Sequence, residues 1–114
     1  MRTNFDMQYQ NITMVKGDTL SFNVQIFNEN GQPLTVDSAF LTCKKDPAGD
    51  EYVFQKSLNA GILQENGLLT VRVSPEDTEN ADAGQYRYQM RIGVDGDNFT
   101  LMIGTLTLEQ NITN

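Results

Sequence analysis

Four serines, Ser21, Ser38, Ser57 and Ser74, and the single cysteine, Cys43, are the side chains of this sequence that most readily become nucleophiles. At neutral pH each needs a neighbouring base or a lowered pKa, and the usual base is missing because the chain contains no histidine. Cys43 alternates with Thr42 and Lys44 inside an apolar-periodic stretch, so it reads as a small buried apolar residue rather than a reactive thiol. A lone thiol also forms no intramolecular disulfide, and without histidine the common zinc sites are absent. Two carboxylates, Asp95 and Asp97, are spaced for acid/base work, but they flank Gly96 and form a hairpin turn. The acids at Asp46 and Asp50 enclose Pro47 and Gly49, which is turn chemistry, and no calcium-loop pattern is completed there. The expectation is therefore no catalytic, metal or cofactor residues.

What remains is recognition. The 114 residues carry 8 Lys and Arg against 15 Asp and Glu, a formal charge of −7. Nucleic-acid affinity comes largely from clustered cations, so a phosphate-binding surface is not expected. No apolar run reaches the length of a membrane span, and Met1 to Gln10 has no signal-like segment; both point to a soluble protein made in a cytoplasm, with no membrane partner. The sequons at Asn11, Asn98 and Asn111 then read as by-products of an Asn- and Thr-rich chain. Sugar binding is the chemical rival, because Tyr9, Tyr52, Phe54 or Phe99 could form an aromatic platform; the plainer reading is that these rings fill the core.

The elements that would position such residues are strands. Leu20, Phe22, Val24 and Ile26 alternate with Ser21, Asn23 and Gln25, a period of two over Thr19 to Phe27. Further strands are expected over Ala39 to Lys45, Glu51 to Leu58, Ile62 to Gln64 and Leu69 to Val73. Asn66-Gly67 is the clearest hairpin signal. Ser74, Pro75 and Asp77 read as a capped single helical turn that carries the chain from one sheet to the other. The organising strand follows from Gln85 to about Val94, with Tyr86, Tyr88, Met90 and Ile92 on one face. Its approach, Asp82, Ala83, Gly84, then Tyr86, has the form of a tyrosine corner, in which the hydroxyl returns to upstream backbone. Asp95-Gly96 turns into the last strand, Asn98 to Leu108, whose apolar parity flips at Gly104; a β-bulge is expected there.

These elements predict an all-β chain, an antiparallel immunoglobulin-like β-sandwich of about seven strands with one short helical turn, although a small closed barrel fits the same spacing. Residues 1–10 are a polar N-terminal arm or first strand, 11–109 a single β-sandwich domain and 110–114 a polar tail. Tyr86, Asp82, Gly84, Tyr88 and Gly104 are the expected structural residues; Tyr88 stands where an antibody-type domain has its second cysteine.

The order Asn11, Ile12, Thr13, Met14, then Lys16, Gly17, Asp18, Thr19, Leu20, then Phe22, Val24, Ile26, and Phe40, Thr42, Cys43, Lys44, Lys45, resembles the N-terminal immunoglobulin-like domain of phage upper baseplate proteins. Later pieces agree: Ser74 to Thr78, Ala83 to Tyr86, Tyr88 and Gly104. The resemblance implies a non-enzymatic virion structural or assembly module of a phage or prophage, serving in baseplate, tail or fibre attachment. Its partners would be other virion proteins or further copies of itself, and its location the virion, after synthesis in the bacterial host cytoplasm. The alternative is a carbohydrate-binding or adhesin-type β-sandwich module.

Overall fold

The computed structural model describes residues 7–113. Most of the expected polar arm, Met1 to Asp6, and the last tail residue, Asn114, lie outside them. The chain forms β1 (Gln8–Tyr9), β2 (Ile12–Val15), β3 (Leu20–Gln25), β4 (Ser38–Lys44), β5 (Phe54–Leu58), β6 (Gly61–Glu65), β7 (Leu68–Val73), a helical turn α1 (Pro75–Thr78), β8 (Gly84–Val94) and β9 (Asp97–Glu109). The strands make one sheet in the order β1-β9-β8-β4-β5-β6-β7-β3, with β2 also on β9. The sheet is mixed and curls into a half-barrel. No helix among the described residues is long and apolar enough to cross a membrane.

The expectation of a wholly antiparallel sheet of about seven strands is corrected. Both β1 and β2 run parallel to β9, with Gln8 opposite Met102 and Val15 opposite Glu109. β9 is 13 residues long and β8 covers only one of its edges, so the first strands take the other. A third parallel ladder joins β5 to β6. It is a jog rather than a crossover: Asn59 and Gly61 take positive φ, 66° and 103°, and the strand steps sideways without reversing.

The two hairpins form where their dipeptides place them. Asn66 and Gly67 (φ 49° and 76°) join β6 to β7, and Asp95 and Gly96 (φ 52° and 86°) join β8 to β9. Positive φ at both central residues matches the twist of the flanking strands. The turn α1 connects β7 to β8, which are not neighbours. The Asp77 carboxylate accepts from Ser74 N–H at 2.7 Å and pairs with Lys56 Nζ at 2.7 Å. Thr78 is fully buried, and its hydroxyl oxygen accepts from Gly17 N–H at 2.9 Å, which ties the turn to the β2–β3 connection.

Alternation decides what is inside. Leu69, Val71 and Val73 of β7 and Leu41 and Cys43 of β4 join Tyr86, Tyr88, Met90 and Ile92 of β8 in one apolar cluster. The outward residues of β3, Ser21, Asn23 and Gln25, are exposed. Between β3 and β4 the chain has no strand partner at Val36, yet this residue is only 3% exposed. The Gln64 side chain completes it, accepting from Val36 N–H at 2.6 Å and donating to Val36 C=O at 3.0 Å.

The bulge expected at Gly104 lies elsewhere. Met90 faces Met102 while Arg91 faces Thr100, so Leu101 is the extra residue. Leu101, Met102 and Ile103 are all apolar, and in such a run the period does not reveal where the slip occurs. Gly104 serves a different need, close approach. A Cβ there would overlap the Gln10 carbonyl, lying 2.7 Å from its carbon.

Candidate functional site

The inward set of β8 and β4 dictates the outward one. With Tyr88, Met90, Leu41 and Cys43 buried, the pairs Lys44–Arg87, Thr42–Gln89 and Phe40–Arg91 stand side by side on the opposite face. The loop from β4 to β5 rises over one end of that face. Asp46 starts it, its carboxylate accepting from Ala48 N–H at 3.0 Å and its carbonyl from Gly49 N–H at 3.0 Å. Lys44 Nζ donates to Gly49 C=O at 2.8 Å and Val53 N–H to Cys43 C=O at 2.7 Å, which fixes Pro47, Asp50 and Tyr52 as a wall. Floor and wall enclose an open groove of about 560 Å³.

Its lining mixes cations, amides and hydroxyls with apolar surface from Pro47, Ile92, Ile103 and three rings, of which Tyr88 is buried and Phe40 and Tyr52 are exposed. Tyr52 is 55% exposed and Phe40 43%. Gln55 donates from Nε2 to Thr42 Oγ1 at 2.9 Å, which holds its amide against the floor. Arg87 and Arg91 are exposed, and neither is in an ion pair among the described residues. Three cations and one carboxylate, Asp50, line this groove in a protein whose acids outnumber its bases 15 to 8.

Of the aromatics considered for a sugar platform, Tyr52 stands in the groove and Tyr9 is exposed on β1. Phe54 is in the core and Phe99 packs half-buried against it, as the inward faces of β5 and β9 require. Phe40 was not singled out for exposure, although the signal existed: it alternates with Leu41 and Cys43, so burying those turns it outward. The candidate nucleophiles are not brought together. Ser38 borders the groove, Ser21 faces outward on β3, Ser57 lies in β5, Ser74 caps α1 and Cys43 is in the core. Asp95 sits in its turn, where its N–H donates to Asp37 Oδ2 at 2.9 Å. Among the described residues no group of three or more potential ligands could hold a metal.

The expected latch forms. Tyr86 Oη donates to Asp82 C=O at 2.6 Å, and Lys45 Nζ lies 4.9 Å above the Tyr86 ring, a cation–π arrangement. Gly84 starts β8 at φ 147°. Tyr88 Oη donates to Gln10 C=O, the carbonyl that packs on Gly104, so both residues hold the β1–β2 junction on β9.

Burial pushes the Cys43 thiol from the 9.0 of a free group up to about 12, and it raises Tyr88 and, with the Asp82 charge second, Tyr86. All three are neutral when protonated, and their folded values lie above the unfolded ones. Below about pH 9 both states keep these protons; above it the unfolded chain releases them first and stability falls. Urea midpoints should therefore drop between about pH 7.5 and about pH 10, and drop less in Cys43→Val. Equal midpoints for the parent protein at the two pH values would contradict this.

Curled sheet, latched strand and cationic groove together define an all-β protein with an exposed groove on one face. No family model matches the chain, and no curated protein matches it. Among solved structures it is similar to a family 123 glycoside hydrolase from Clostridium perfringens, whose report concerns glycolipid glycan hydrolysis. Identity is 12% and the TM-score 0.44, over 96% of this chain and 24% of that one. The chain thus spans about a quarter of that enzyme's length.

Proposed function

We propose that the protein is a non-enzymatic structural and assembly module of a phage virion, in baseplate, tail or fibre attachment, working through protein–protein contacts. In this reading the curled sheet is an immunoglobulin-like sandwich, with β6, β7 and β3 as one layer, β5, β4, β8, β9 and β2 as the other, and Tyr86 as the corner. The observation that carries it is the outer edge of β3. Among the described residues β3 pairs only with β7, and its six residues include no charge, proline or glycine. Edge strands that must stay unpaired usually carry such guards; an unguarded one is a template for a neighbour's strand. The −7 charge favours protein over nucleic acid as partner.

The test is native mass measurement of the purified chain, alone and with virion components. Expected is an oligomer or complex that the Ser21→Lys/Asn23→Lys variant no longer forms while melting close to the parent. A chain that stays monomeric and meets no component overturns the proposal. The second reading, a carbohydrate-binding or adhesin-type module, is favoured by a separate observation, the two exposed rings Phe40 and Tyr52 in a groove floored by amides and hydroxyls.

A further inference from the structure

The groove has one property that neither ring exposure nor strand edges account for, its charge. Across the chain acids outnumber bases by nearly two to one, whereas here Lys44, Arg87 and Arg91 face a single carboxylate, Asp50. Lys44 and Arg87 are cross-strand neighbours, and like charges directly opposite each other destabilise a sheet pair. A counter-anion placed between them relieves that repulsion. Arg91 lies four residues further along β8, about 13 Å away by strand rise, beside Phe40. Between the cationic ends lie the neutral donors and acceptors Thr42, Gln55 and Gln89.

We propose that this groove binds a carboxylate-bearing oligosaccharide, a uronate- or sialate-type glycan of about two or three rings, the size that a pocket of a few hundred cubic ångströms accommodates. Guanidinium forks pair with carboxylates through two parallel hydrogen bonds, amides serve ring hydroxyls, and Tyr52 and Phe40 offer apolar faces to the sugar C–H edges. An acidic peptide matches the charge but not the rest: protein-binding patches keep an apolar, charge-depleted centre, and the centre here is Thr42, Gln55 and Gln89. The inference rests on the sugar-binding reading and narrows its ligand class.

Titration of the full chain with trigalacturonate, maltotriose and hexaglutamate, followed by amide chemical shifts and calorimetry, tests it. Trigalacturonate should shift the outward residues of β4 and β8 and weaken with added salt. Its Kd should rise about tenfold in Arg87→Gln and again in Arg91→Gln, the loss of one charge-assisted pair each. Arg72→Gln, on the exposed face of β7, should change nothing. Because Arg87 and Arg91 are exposed and make no ion pair, their variants should melt like the parent. Maltotriose binding as tightly as trigalacturonate overturns the acidic specificity and leaves the sugar-binding reading standing. Hexaglutamate binding more tightly replaces the glycan by an acidic peptide, and silence from all three probes overturns both readings.

Discussion

Gly104→Ala should cost about 3–5 kcal/mol, the range of severe packing and backbone clashes, and lower the melting temperature by roughly 15 °C or more. The added methyl meets backbone, the Gln10 carbonyl, not the movable end of a side chain. Gln10 N–H donates to Ile103 C=O at 3.0 Å and Thr105 N–H to Asn11 Oδ1 at 3.0 Å, so the junction cannot swing away without losing both, along with the Tyr88 hydroxyl bond. Hydrogen exchange should accelerate first at Gln10 and Thr105. Gly96→Ala is the control: nothing lies within 4 Å of its Cβ, and only the positive φ of 86° is strained, worth about 1 kcal/mol. A Gly104→Ala protein no less stable than Gly96→Ala would refute the close-approach account.

Gln64→Met should cost about 2–4 kcal/mol in urea denaturation, the sum for two peptide groups left unsatisfied at about 1–2 kcal/mol each. Methionine matches glutamine in length, so the change isolates the loss of hydrogen bonding from loss of volume. Both lost bonds belong to Val36, where the chain passes between β3 and β4 without ladder partners. Gln64→Glu should cost at least as much, because a carboxylate accepts from Val36 N–H but repels Val36 C=O. A Gln64→Met midpoint equal to the parent's would show that water replaces the amide at no cost.

How much of this was legible beforehand follows the range of each interaction. Hairpins at Asn66-Gly67 and Asp95-Gly96 are written in two adjacent residues, and the Tyr86 latch spans only four, so local spacing reveals them. The burial of Tyr88, Met90 and Ile92 follows from strand parity. The parallel ladders of β1 and β2 leave no such trace, since no turn residue marks them and the partners of β2 lie some ninety positions away; the β5–β6 jog is marked by Asn59 and Gly61, but the same residues would equally suit a reversal. The Gln64 clamp is hidden for the same reason: one amide among several acts only because Val36 passes beside it. The groove needed the β4–β8 register as well as the outward residues, because only pairing puts Lys44 against Arg87 and Phe40 against Arg91. Gly104 was marked correctly as special and given the wrong task; a glycine that permits a turn and one that permits a neighbour look alike in a sequence.

The shared direction of β2 and β9 has a mechanical consequence. Gln8 lies beside Met102 and Val15 beside Glu109, so the described chain begins near the middle of the last strand and leaves by that strand's far end. A pull applied between those two points runs along the strands, not across them. The hydrogen bonds linking them are then loaded in shear and must yield together, which makes this ladder a brace against tension applied between the two points.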